Sequence, residues 1–361
     1  MQEHISMTRE FFGPFWEYVT QADVTDIDYN GSHLWITDTM GTRKKIQTHG
    51  VTEAFVEQFT QRIANQVSKP FNRIHNLLEA ETKTLRISIV HESVAVSGRS
   101  ICIRKAPPFI RMTAKRAIAQ NYCEKEQMML LANCVKARMN LVFCGEPGEG
   151  KTECAKFYSQ FITAEDRVIT IEDSLEWHYK EINPAKDCVA LQVKESFDYQ
   201  KAIKTSLRQN PKWIMLSEAR STEVKSLMEC WSTGVRGFTT LHTDDVRKIP
   251  DRILNMMENR LDAERMENDV YTYVDVGVLL RIKKDARGKR YRYIDQVCFF
   301  SREQARNEIT MMVVDGQTQT HDLPIEVEKK MKQAGIKNGF YQEEVAWQMQ
   351  QEQGDLYESA C

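Results

Sequence analysis

The chain has 361 residues, with 49 basic and 51 acidic side chains and a net charge of −2; the length exceeds what one core commonly fills and predicts two domains. The near-neutral balance gives no indication of a surface built to coat nucleic acid or another polyanion. No apolar run reaches the length of a bilayer-spanning helix, the first residues lack the basic and apolar sections of an export signal, and nine cysteines without a C-x-x-C pair fit reduced thiols better than disulfides or a zinc site.

Residues 11–21 predict a helix, and two alternating runs around Asn30-Gly31, the strongest short hairpin signal, predict a pair of strands. Residues 52–67 read as an amphipathic helix, and 85–90 and 100–104 as further strands. Lys105-Ala-Pro-Pro then interrupts the pattern, because adjacent prolines hold the chain extended and block a helix. Residues 1–106 are therefore assigned to a small N-terminal α+β domain and 107–115 to a linker. The larger second domain over 116–322 opens with a long helix over residues 113–138. Strands at 140–144, 167–172, 189–193, 213–216 and 237–241 follow, alternating with helices after residue 150 and at 199–208, 223–233 and 245–260. Apolar strands alternating with helices predict an α/β fold with a mainly parallel sheet covered on both faces. Residues 271–282, 290–300 and 308–314 suggest a closing meander, and 323–361 a tail of polar helices.

The segment Gly145-Glu146-Pro147-Gly148-Glu149-Gly150-Lys151-Thr152 reads G-x-x-x-x-G-K-T between an apolar strand and a helix. Glycines at 145, 148 and 150 let successive backbone N–H groups turn inward around an anion. Lys151 then reaches the outer phosphates of a nucleotide such as ATP, the Thr152 hydroxyl holds Mg²⁺, and the following helix points its positive end at the same charge. Hydrolysis also needs acids at the tips of neighbouring strands. Glu172, Asp173 and Glu176 follow one strand, Glu218 follows a second, and His242 ends a third. An acid in such a place is also an ordinary helix N-cap, and a lone histidine is ordinarily a hydrogen-bonded core residue.

Taken in order, these segments resemble the secretion ATPase family, the hexameric P-loop motors of type II and type IV secretion and of type IV pili. The resemblance rests on T-I-E-D-x-x-E at 170–176, Ser217-Glu218-Ala219-Arg220, and Thr240-Leu241-His242-Thr243. Leu207-Arg208-Gln209-Asn210-Pro211 and Thr233-Gly234 match the family's intervening signatures, and the match covers most of the chain. It implies a RecA-like ATPase domain that binds ATP and Mg²⁺, with Glu176 as general base, Glu218 and Thr152 supporting Mg²⁺, and His242 sensing the γ-phosphate. Arg86, Arg99 and Arg104 of the first domain are similar to the family's arginine-bearing strands and are expected to complete the nucleotide pocket. The compact size resembles the type IV secretion and conjugation (VirB-type) branch, with tight-adherence, type IV pilus or type II secretion ATPases as the alternative. The resemblance further implies a homo-hexamer at the cytoplasmic face of the inner membrane, working with membrane components of the machine; the near-neutral charge gives no indication of direct nucleic-acid binding. Two positions depart from the family pattern: Ser217 replaces a glycine, and Lys212 stands where an acid is usual.

Overall fold

The computed structural model describes residues 5–221, 223–256, 263–286, 288 and 290–341. The chain divides into two compact units, Met1–Pro108 and Phe109–Cys361.

The first unit carries helices Arg9–Phe12 (α1), Trp16–Thr20 (α2) and Glu53–Gln66 (α3). Its strands are Val24–Asn30 (β1), Leu34–Asp38 (β2), Arg43–Ile46 (β3), Leu77–Glu81 (β4), Leu85–Val90 (β5) and Ser100–Lys105 (β6). They form one antiparallel sheet in the order β3-β2-β1-β6-β5-β4. Ile27, Ile87, Ile89, Ile101 and Ile103 alternate onto one face and share a core with Phe12, Phe15 and Phe59. The single helix expected over 11–21 is broken at Gly13-Pro14, where Gly13 takes φ +49° and a 3₁₀ turn intervenes. Neither β3 nor β4 was signalled by the sequence. β3 reads Arg-Lys-Lys-Ile with its cations exposed on a sheet edge, a composition that discourages pairing with another chain rather than advertising a strand.

The second unit is built on Leu141–Cys144 (β7), Val168–Glu172 (β8), Cys188–Gln192 (β9), Trp213–Leu216 (β10), Arg236–Leu241 (β11), Val276–Lys284 (β12), Arg290–Glu303 (β13), Arg306–Val314 (β14) and Gln317–Thr318 (β15). The sheet order is β15-β14-β13-β12-β7-β11-β10-β8-β9. Strands β12 through β9 in that order are parallel, and the β13, β14 and β15 edge is antiparallel. The central parallel strands β7, β8, β10 and β11 are buried on both faces by two core clusters, as crossover helices on each side require.

The helices are Ala114–Ala119 (α4), Lys125–Lys136 (α5), Lys151–Ser159 (α6), Tyr179–Ile182 (α7), Tyr199–Ser206 (α8), Glu223–Ser232 (α9), Ile249–Asn255 (α10), Ala263–Tyr273 (α11) and Ile325–Gln333 (α12). The continuous helix expected over 113–138 is two helices. Asn121 turns left-handed at φ +53°, a conformation Asn tolerates, and Glu124 with Gln127 forms a capping box that starts α5 afresh. The strand expected from residue 271 begins at Val276, because residues 263–273 bury Met266 and Val270 at helical spacing. Part of the helix expected over 245–260, and residues 342–361 of the expected tail, lie outside the described residues. Within the tail, α12 adds Val327 and Met331 to the core of the second unit.

At the amino end of β7 the fully buried Asn140 ties three strands together. Its backbone N–H donates to Asp275 Oδ2 at 2.8 Å, its side-chain amide donates to Tyr273 O at 2.7 Å, and its Oδ1 accepts from Gly237 N at 2.9 Å. Asp275 also pairs with Lys330 of α12.

Candidate nucleotide site

Strands β7, β11, β10 and β8 are neighbours and parallel, so their carboxyl ends open on one edge of the sheet, the edge at which α/β sheets place ligands. The glycine turn leaves β7 there and runs into α6. Gly145, Gly148 and Gly150 have φ +145°, +84° and +94°, conformations costly for any residue with a Cβ.

Lys151 folds back over this turn and is only 8% exposed. Its ammonium donates to Gly145 O at 2.9 Å and Glu146 O at 3.1 Å, and lies 3.2 Å from His242 Nδ1. Burial pulls the Lys151 ammonium below its ordinary pKa, opposed by the Glu218 carboxylate and then by Cys144, Glu149 and Glu176. The acids predicted on separate strands therefore converge on one cation.

His242, just past β11, faces Glu218 Oε1 at 2.9 Å through Nε2. With the proton on Nε2, that nitrogen donates to Glu218 and Nδ1 accepts from Lys151; Gly145 O, 3.0 Å from Nδ1, already receives the same ammonium. This tautomer satisfies every polar atom of the triangle. The other Glu218 oxygen accepts from Arg220 Nη2 at 2.7 Å, and Arg220 Nη1 reaches Asp173 Oδ2 at 3.0 Å. Asp173 thus serves an ion pair, and no helix starts beside it to be capped. Ser217 keeps its N–H on Ile171 O at 3.0 Å and its hydroxyl 3.3 Å from Tyr199 OH, so the replacement of glycine adds a hydrogen bond there without disturbing the strand.

Glu176 accepts from the Thr152 hydroxyl at 3.4 Å, which joins the second acidic segment to the start of α6. Its position depends on Glu172, which is 1% exposed and accepts from the N–H groups of Glu176 and Trp177 at 2.9 and 2.8 Å through one oxygen. Burial pushes the Glu172 carboxyl up to about 8, partly opposed by those two N–H groups.

The first-unit arginines differ among themselves. Arg86 and Arg104 lie opposite each other on β5 and β6, and Arg104 Nε donates to Asp26 at 2.8 Å. Arg99 grips both oxygens of Glu92 at 2.7 and 2.9 Å, donates to Thr60 and packs on the Phe71 ring. That pairing holds the Glu92 carboxyl at about 2, so the observed contacts of Arg99 brace its own unit.

One site residue carried no local signal. Arg292 on β13 donates to Gly148 O through Nε at 3.2 Å and Nη2 at 2.8 Å, 144 residues from the turn it touches. A lone cation in a strand is usually a solvated side chain, and only the fold brings it to the loop.

A glycine turn opening a helix, a buried lysine over it, and acids from two further strand ends define a P-loop nucleotide site in a RecA-like α/β sheet, preceded by a small α+β unit. The chain belongs to the Type II/IV secretion system protein family, which it matches over residues 69–360. It is 28% identical over 261 residues to an uncharacterised protein of Bacillus anthracis, covering 71% of this chain and 58% of that one. It is 25% identical over 203 residues to the conjugal transfer protein TrbB of Rhizobium radiobacter, covering 55% of this chain and 60% of that one. The chain thus spans less than two thirds of the length of these relatives. Its fold is similar to the Yersinia pseudotuberculosis ATPase DotB, with a TM-score of 0.61 at 15% identity over 83% of this chain and 81% of that one.

Proposed function

We propose that this chain hydrolyses ATP to ADP and phosphate and works as a motor subunit of a type IV secretion or conjugation apparatus. The observation that carries the ATPase reading is that Lys151 folds over the glycine turn against His242, which holds Glu218, while Glu176 meets Thr152 at the start of α6. The turn's inward N–H groups and Lys151 bind the phosphates. Glu176 takes a proton from the attacking water as its oxygen bonds to the γ-phosphorus and the bond to the β–γ bridging oxygen breaks. Glu218 is held at the carboxyl end of β10 between His242 and Arg220, and His242 links that acid to Lys151.

The Thr152 hydroxyl and the nearby carboxylates are oxygen donors of the kind a hard divalent cation prefers, so Mg²⁺ fits, with Thr152 and Glu218 as the residues that would hold it. When bound, Mg²⁺ neutralises charge on the phosphates. Arg86 and Arg104 are proposed to complete the pocket from the first unit, within one subunit or across to the next in a homo-hexameric ring.

The secretion and conjugation setting is supported by the family and by the conjugal transfer relative. No helix among the described residues is long and apolar enough to cross a membrane. From the family membership, the proposed location is the cytoplasmic face of the membrane, beside inner-membrane components of the machine.

Phosphate release by the purified chain tests the ATPase reading, with Lys151→Ala and Glu218→Gln measured beside it. Loss of release in both variants is expected, and equal rates in all three proteins would refute the assigned site.

A further inference from the structure

We propose that Arg292 is a positioning residue of the phosphate loop: from β13 its guanidinium fixes the Gly148 carbonyl and, through the rigid peptide unit, the direction of the amide that follows. The inference rests on the ATP-binding reading above and concerns the shape of that same site.

Nε and Nη2 of Arg292 converge on a single oxygen at 3.2 and 2.8 Å, a charge-assisted fork that a lysine cannot reproduce. Because a trans peptide is planar, the Glu149 N–H points the opposite way from the Gly148 carbonyl, and it is found directed back into the turn toward Glu146 O at 3.3 Å. The remainder of the loop is fastened by its own residues. Glu149 Oε2 accepts from Glu146 N at 2.6 Å, and Lys151 binds the carbonyls of Gly145 and Glu146.

The Arg292 stem needs room as well. A Cβ built on Gly150 would come 3.2 Å from Arg292 Cδ, so the glycine that admits the left-handed turn also admits the arginine alongside it. Gly148 and Gly150, like Gly145, carry wide backbone freedom in the loop, and an untethered turn would sample conformations whose N–H groups do not all face one anion. Arg292 sits opposite Ile282 on β12, and β12 pairs with β7. The crown of the loop is thereby tied to the same hairpin that flanks its parent strand.

Calorimetric binding of ATP and of inorganic tripolyphosphate to wild type, Arg292→Ala, Arg292→Gln and Arg292→Lys tests this, with melting temperatures and steady-state kinetics alongside. Loss of the fork is expected to weaken both ligands by the same factor, on the order of tenfold, the usual effect of deleting one charge-assisted hydrogen bond. KM for ATP should rise by a similar factor while kcat stays within about twofold, as for an interaction made equally in ground and transition states. Lysine, which keeps the charge without the fork, should recover only a minor part of the loss. Weakening of ATP with tripolyphosphate unchanged would mean that Arg292 touches the nucleoside instead, and full recovery by lysine would mean that charge alone matters. Either result, or unchanged binding in the alanine and glutamine variants, overturns the proposal. Failure of the wild type to bind either ligand would instead refute the nucleotide reading itself.

Discussion

Glu172→Gln isolates the cost of keeping a carboxyl group inside the second unit. Glu172 is 1% exposed and its carboxyl is pushed from 4.5 up to about 8 by burial. A raised folded-state pKa in an acid means that the folded protein holds the proton more tightly than the unfolded chain. Stability is therefore fully present below about 4.5 and is lost as pH rises toward about 8. The span of 8 minus 4.5, roughly 3.5 units at about 1.4 kcal/mol each, sets a ceiling on the order of 5 kcal/mol. Glutamine keeps a carbonyl oxygen to accept from the N–H groups of Glu176 and Trp177 and does not titrate. Between pH 5.5 and 7.5 the wild type should lose up to about 3 kcal/mol more than Glu172→Gln, two units at about 1.4 kcal/mol. Urea denaturation followed by tryptophan fluorescence at the two pH values reads this difference directly. Parallel stability–pH curves for the two proteins would show that Glu172 is not held neutral, and the reasoning would fail.

Replacing His242 with Asn removes the link between Glu218 and Lys151; kcat for phosphate release should fall by roughly 10- to 100-fold with a smaller change in KM, as for loss of a group acting in the transition state, and an effect confined to KM would contradict this. Phe238→Ala empties a fully buried position whose ring lies 5.6 Å from Phe143 and 5.4 Å from Trp213. It should destabilise the second unit by about 3–5 kcal/mol, and a melting temperature equal to wild type would rule out the packing described.

The parts of the site that could be read from the sequence were those encoded within a few residues. The glycine turn announces itself because its φ values demand glycine at fixed offsets, and Glu218 and His242 because each follows a short apolar strand. The unread parts depend on distance along the chain or on competing local signals. Arg292 resembles any strand arginine until the fold carries β13 to the loop. The role of Glu172 is hidden because an acid at a strand end looks the same whether it faces solvent or two buried N–H groups. Residues 113–138 have unbroken helical periodicity, and the left-handed Asn121 with the Glu124–Gln127 cap overrides it. β3 is polar because it lies at an edge, which removes the alternation by which strands are recognised. Arg99 shares its residue type with Arg86 and Arg104, but it lies just before β6, where Glu92, Thr60 and the Phe71 ring hold it.

The knot at Asn140 has a mechanical consequence. The strands carrying the phosphate loop and His242, with β12 beside them, are riveted to one another by Asn140 at the end of the sheet opposite the glycine turn, so sliding any of the three past its neighbours there would break these buried hydrogen bonds. Asp275 stands at that rivet and Lys330 grips it, which fastens helix α12 to the same point.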